Sequence, residues 1–152
     1  MKTILVAVDS SSVGDAVVAE AQALARSADG RIVLLTVVQP PVITSEYAPM
    51  IENFEAITEA GKKAAEKRLL ELKSGLDAGG IATETVQLTG SPVAHILQQA
   101  DTRGADYIVM GSHGHTALYD LLVGSTTHGV LLRSKCPVLI VPPKDRHALK
   151  PS

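Results

Sequence analysis

The sequence predicts an α/β domain: an open five-stranded, mainly parallel sheet with helices on both faces. Three observations carry that prediction. Short apolar runs alternate with longer amphipathic stretches, strand then helix four times, with one final strand. Apolar residues make up 45% of the chain, yet its aromatics are only Phe54, Tyr47, Tyr107 and Tyr119. The core must then be Val, Ile, Leu and Ala, which suits a parallel sheet buried by helices. Finally, 152 residues are enough for one domain with a proper core and too few for two ordinary ones.

Taken in order, "TILVAV" (Thr3 to Val8) is a continuous apolar run ending at Asp9, as a fully buried strand would be. A helix follows, with Val13, Val17, Ala21, Leu24 and Ala28 on one face and Asp29-Gly30 as its stop. "RIVLLTVV" (Arg31 to Val38) is the second strand, closed by Pro40 and Pro41. Residues 39 to 51 form a proline-containing loop. The next helix covers Glu52 to Ala78, with Phe54, Ile57, Ala64, Ala65, Leu69, Leu72 and Leu76 as its apolar stripe.

"ATETVQL" (Ala82 to Leu88) alternates with period two and reads as an edge strand with one face near solvent. Ser91 is placed to cap a third helix with Pro92 at its first position. "ADYIVMG" delivers a buried fourth strand to Gly111, and a last helix spans Thr126 to Arg133. "CPVLIVP" closes the fold as a fifth strand, apolar on both faces although nothing follows to cover it. An exposed apolar edge invites pairing, so a second copy is expected to join through Pro137 to Val141. The competing reading places this strand in the sheet interior. The domain is taken as residues 1–143, with the polar, proline-bounded tail 144–152 disordered.

Composition narrows the partners. A net charge of −2, with basic residues scattered and no aromatic-basic interleaving, argues against nucleic acid. Cys136 is the sole cysteine, so no internal disulfide can form and a reducing compartment is the natural setting. No segment reaches the roughly 20 apolar residues of a membrane span. The short apolar run at the N-terminus lacks a signal peptide's length and cleavage site. A cytoplasmic protein, not inserted in membrane, is expected.

The functional signal lies in "GSHGHTALYDLLVGSTTHG" (Gly111 to Gly129). In such sheets ligands bind beyond the carboxyl ends of strands, where the strand order reverses. The candidate ends are Asp9, Val37-Val38 and Met110-Gly111. Gly111, Gly114 and Gly124 are separated by two and nine residues, and Ser125 and Thr126 follow where the last helix begins. A helix start presents unpaired N–H groups to an anion, and the two hydroxyls can cap the helix or bind phosphate oxygen. Neither common nucleotide fingerprint is present, so without further context the glycines read as a turn and a helix cap.

The chain is similar to the universal stress protein family over nearly its whole length, from "ILVAVDSS" to "CPVLIVP". The specific part is G-x2-G-x9-G-[ST], matched by Gly111, Gly114, Gly124 and Ser125, which in that family marks members that bind ATP. The resemblance implies a Rossmann-like fold of the adenine nucleotide alpha hydrolase-like type, a homodimer, and a nucleotide-dependent sensor or regulator of the stress response. By position, Ala7, Val8 and Asp9 would line the nucleoside side, and Val37 would meet adenine through its backbone. Met110 and Gly111 would pack near ribose and adenine. Ser112, His113, Gly114, His115, Thr116 and Ala117 would curl around phosphates also held by Gly124, Ser125 and Thr126. The cofactor would be ATP, ADP or AMP, and Mg2+ or Mn2+ can accompany it on phosphate oxygens and water. Relatives often carry Lys or Arg where His115 stands, so a permanent positive charge is missing there.

Other readings remain beside this one. Asp9 can line a ligand or cap the next helix. His113 and His115 have a spacing found in metal sites, but one distant cysteine cannot complete a structural zinc site. Ser112, His113 and Asp120 lack the G-x-S-x-G elbow of a hydrolase. Cys136 reads as inert and His95 as a packing or surface residue. With no Walker lysine and no acidic metal cluster, the site holds more than it cuts. A slow ATPase is the first alternative, although "VDSSSVG" only loosely approximates the loop of the hydrolase relatives. A nucleotide-free dimeric interaction module, contacting a regulatory partner protein, is the second.

Overall fold

The computed structural model describes residues 1–9, 13–40, 51–112 and 123–143, without the side chains of 13 and 51–54. The expected tail and most of the expected proline-containing loop lie outside the described residues. Nine elements alternate as anticipated: β1 (Lys2–Ala7), α1 (Val13–Ala28), β2 (Gly30–Val38), α2 (Ile51–Ala78), β3 (Thr83–Thr89), α3 (Pro92–Arg103), β4 (Tyr107–Gly111), α4 (Ser125–Arg133) and β5 (Val138–Val141). The sheet runs β3-β2-β1-β4-β5, and every neighbouring pair is parallel.

The order explains the sequence pattern. β1 lies at the centre, pairing β2 through Val6↔Leu34 and β4 through Val6↔Val109. Ile4, Leu5, Val6, Val33, Leu34, Ile108 and Val109 are 0–1% exposed, so these strands are apolar on successive residues rather than alternate ones. One core, containing Ile4, Val6, Leu34 and Val109, is closed by Val17, Ala21 and Ala25 of α1 and Leu69 and Leu76 of α2. The other, containing Leu5, Val33, Leu35 and Ile108, is closed by Ile96 of α3 and Val130 of α4. Connections that run outward from β1 to β3 thus place helices on one face. Those from β3 back to β4 and on to β5 place them on the other, as a consistent crossover hand requires.

β3 occupies one edge, as its period-two pattern suggested, and none of its residues is fully buried. β5 occupies the other, which overturns the interior alternative within this chain; Leu139 is 39% exposed on it. Asp29 adopts φ +52° and Gly30 begins β2, where a Cβ would sit 3.0 Å from Ile4 Cδ1. The expected helix stop is therefore a tight entry into the strand.

Three expectations need correction. The α2 stripe fails at Ile57, which is 62% exposed, and at exposed Ala64, while Leu69, Leu72 and Leu76 pack inward and the Phe54 side chain lies outside the described residues. Ser91 occupies the N-cap of α3, but its hydroxyl makes no capping hydrogen bond. α4 begins one residue early, with Gly124 as its N-cap and no side-chain cap. Neither Ser125 nor Thr126 caps it.

Ion pairs gather where the strands begin. Arg103, in the last turn of α3, donates to Glu84 of β3 at 2.8 Å and to Gln99 at 2.8 Å, and Arg31 lies 4.0 Å from the same carboxylate. The Arg103 hydrogen bond and the charges of Arg103 and Arg31 outweigh desolvation and hold the Glu84 carboxyl below its ordinary value. A depressed acid contributes stability in full above its unfolded-state value, and loses it as the pH falls through the lower folded value. The Glu84 side chain is about half exposed, so the contribution is below about 1 kcal/mol. Glu84→Gln is expected to lower the denaturation midpoint slightly at neutral pH and not at all in acid, below the glutamate range. A deficit that persists unchanged in acid would remove the charge from the explanation.

α3 and α4 meet closely at Gly129, where a Cβ would lie 2.9 Å and 3.2 Å from the two methyls of Val93. Valine is stiff in a helix and cannot swing aside. Overpacking costs about 1–3 kcal/mol, against about 1 kcal/mol that alanine gains over glycine in a helix. Gly129→Ala should destabilise the domain, and Val93→Ala in the same chain should recover part of that loss. Denaturant midpoints of the four proteins test it, since strictly additive losses would deny the contact.

Candidate functional site

A crevice of about 290 Å³ opens at the carboxyl ends of β1, β2 and β4, where the strand order reverses around β1. Ala7, Val8 and Asp9 enter it from β1, Leu35, Val37 and Gln39 from β2, and Met110 and Gly111 from β4. Gly14 and Val17 of α1 and Pro92 and Ile96 of α3 form side walls, and Gly124, Ser125, Thr126 and Thr127 bring in the start of α4.

The end of β1 is fixed by its neighbour. The Val8 N–H donates to the Leu35 carbonyl at 2.8 Å, and the Thr36 hydroxyl donates to the Val8 carbonyl at 3.1 Å. The end of β4 is tied just as firmly. Ser112 N–H donates to the Val141 carbonyl of β5 at 3.0 Å, and Gly124 N–H donates to the Ser112 carbonyl at 2.7 Å. Ser112 is itself buried, at 7% exposure. Along the crevice, Ala7, Leu35, Val37, Ile96 and Met110 offer apolar surface. The first turn of α4, whose N-cap Gly124 supplies no side-chain cap, brings Ser125 and Thr126 to the lining, and a helix start leaves its first N–H groups without helical partners. An apolar slot leading to a helix start suits a ligand with a flat apolar body and an anionic end.

Of the residues read from the sequence, Ala7, Val8, Asp9, Val37, Met110, Gly111, Gly124, Ser125 and Thr126 line this crevice. Ser112 lies beside it, bonded to Gly124. His113, Gly114, His115, Thr116 and Ala117 lie outside the described residues, as does Asp120. Sequence reasoning missed Gly14, Val17, Leu35, Gln39, Pro92, Ile96 and Thr127. Pro92 carried a usable signal, because a helix start that follows a strand end in this fold faces the same edge. Thr127 carried another, standing three residues before buried Val130 on the inner face of α4.

Cys136 is half-buried against the second core, with the Ser134 hydroxyl donating to its carbonyl at 2.7 Å. His95 faces the Thr89 carbonyl through Nε2 at 3.1 Å, which is a packing arrangement. Among the described residues no group of three or more His, Cys, Asp or Glu is placed to hold a metal ion. Among them, too, no helix is long and apolar enough to cross a membrane.

Fold and crevice together define a class: an α/β domain with a ligand-sized opening at the switch point of a parallel sheet. The chain belongs to the universal stress protein family, whose family model matches residues 1–142. It is 33% identical over 144 residues to the universal stress protein YxiE of Bacillus subtilis, covering 90% of this chain and 96% of that one. The solved structure of UspA from Lactobacillus plantarum superposes with a TM-score of 0.81 at 25% identity, covering 92% of this chain and 97% of that one. A universal stress protein solved in complex with cAMP matches with a TM-score of 0.65 at 26% identity, covering 94% and 98% respectively.

Proposed function

We propose that the crevice binds an adenine nucleotide, ATP foremost, and that the chain is a nucleotide-dependent sensor or regulator in the stress response. The observation that carries this reading is one opening lined both by apolar residues of β1, β2, β4 and α3 and by the first turn of α4, which has a glycine at its N-cap. The relative solved with cAMP supports the adenine part. In this reading the base lies along Val37, Met110 and Ile96, with Asp9 toward the ribose. The phosphates reach the amides and hydroxyls at Gly124, Ser125 and Thr126. Ser112 to Ala117, with His113, Gly114, His115 and Thr116 between, would close over the phosphates, and Mg2+ or Mn2+ would share their charge.

The crevice is equipped to hold rather than to cut. Its described lining carries one carboxylate, Asp9, and no lysine or arginine. Fast phosphoryl transfer asks for positioned cations and a group to orient water. Slow hydrolysis is the second reading, and multiple turnovers per minute with Mg2+, lost in Ser125→Ala, would favour it. The regulatory output is assigned to a surface that changes when nucleotide binds, read by a protein partner in the cytoplasm.

Calorimetry with ATP, ADP, AMP and adenosine tests the site. Gly124→Val, which fills the approach to α4, should weaken ATP binding by roughly a hundredfold or more, about 2.7 kcal/mol, with the fold retained. Unchanged affinity would place the nucleotide elsewhere, and native mass spectrometry finding no adenine nucleotide carried or taken up would favour the nucleotide-free module.

The assembly proposed is a homodimer through β5, Pro137 to Val141. Its support is the edge position of this apolar strand and the exposure of Leu139. Leu139→Asp should shift the mass measured by light scattering from dimer toward monomer. A dimer unaffected by that charge would move the interface to another face.

A further inference from the structure

Thr127 stands third in α4, and its side chain faces inward, at 2% exposure. A threonine in a first helical turn ordinarily turns its hydroxyl to solvent or to a nearby backbone group of the same turn. Here the hydroxyl leaves its own helix and donates to the Gly111 carbonyl at 2.7 Å, sixteen residues back along the chain. That carbonyl belongs to the Gly111–Ser112 peptide, whose N–H is held from the opposite side by Val141 of β5. The next carbonyl, of Ser112, accepts the Gly124 N–H. Three hydrogen bonds therefore fix the two peptides around Ser112. Two of the three join the end of β4 to the start of α4, the points where the chain leaves for and returns from residues 113–123.

We propose that Thr127 is a positioning residue for the phosphate end of the crevice. Its buried hydroxyl sets the spacing and tilt between the Gly111–Ser112 peptide and the first turn of α4, and so aims the α4 amides at a bound phosphate. The inference rests on the adenine nucleotide reading above and names a part of the machinery that the glycine spacing does not contain. The apolar surface of Ala7, Leu35, Val37 and Ile96 comes from β1, β2 and α3, which this bond does not touch. Losing the hydroxyl should therefore discriminate among ligands by their phosphates.

Wild type, Thr127→Val, Thr127→Ala and Thr127→Ser are titrated with adenosine, AMP and ATP by calorimetry, and amide hydrogen exchange is followed without ligand. Thr127→Val keeps the shape and removes the donor. It is expected to weaken ATP binding by roughly five- to tenfold, the scale of one net hydrogen bond, and to leave adenosine within about twofold. Thr127→Ser should restore ATP affinity, and Thr127→Ala should reproduce the split, so the result does not hang on one variant folding. The Gly124 amide should exchange faster in Thr127→Val while the amides of β1 and β2 do not. Equal ATP affinity in wild type and Thr127→Val overturns the positioning role, as does an equal loss for adenosine and ATP, which would make Thr127 packing alone. A wild type that binds no adenine nucleotide overturns the nucleotide reading and this role with it.

Discussion

The constraint on which the rest depends is the position of the first strand at the middle of the sheet. β1 has parallel partners on both sides, so the chain must build outward to β3 and then return across β1 to β4. Because the crossovers share one hand, that reversal sends α1 and α2 to one face and α3 and α4 to the other. Between β1 and β4 the two sets of connections part, and the carboxyl edge opens. The crevice is a consequence of strand order before it is a consequence of any side chain. The same order leaves β3 and β5 as the edges, one polar and one apolar.

Much of this was legible because its physical cause is local. Runs such as "TILVAV" and "RIVLLTVV" are apolar on consecutive residues, which only burial on both faces rewards, and those strands are the central ones. The half-polar "TETVQLT" is an edge for the opposite reason. The failure in α2 is equally instructive. A helix of 28 residues runs about 42 Å, whereas the seven residues of β3 span about 23 Å, so a helix packed along this strand outruns it. Leu69, Leu72 and Leu76 find core beneath them, and Ile57 does not. Periodicity reports which face of a helix is apolar, and is silent on where the sheet beneath it stops.

The site divides along the same line. Glycine spacing and strand ends located one rim of the crevice, because each is a local feature of its own segment and is demanded by backbone geometry. The opposite walls, Gly14 and Val17 of α1 and Pro92 and Ile96 of α3, arrive through the topology and look like ordinary core in their own segments. Thr127 is the more telling omission. In a sequence it is one of two adjacent threonines at a helix start, set apart from Thr126 only by its i, i+3 spacing to Val130. In the fold Thr126 lines the crevice, whereas Thr127 also turns inward to the Gly111 carbonyl.

Charge decides what such a site can do. A polyphosphate taken from water into a partly apolar crevice must recover its lost hydration from partners in the protein or from ions that travel with it. Here the described lining offers the backbone and hydroxyls at the start of α4, the carboxylate of Asp9 and no lysine or arginine. Dipoles of this kind hold an anion well only when their geometry is set beforehand, since they cannot compensate by strength of charge what they lack in alignment. That is why the hydrogen bonds around Ser112 matter more here than they would beside a lysine. One of them runs to Val141, so the strand at the apolar edge of the sheet also holds the Gly111–Ser112 peptide. β5 thus bonds on one side to the end of β4 that lines the crevice, and on the other it is the open edge of the sheet.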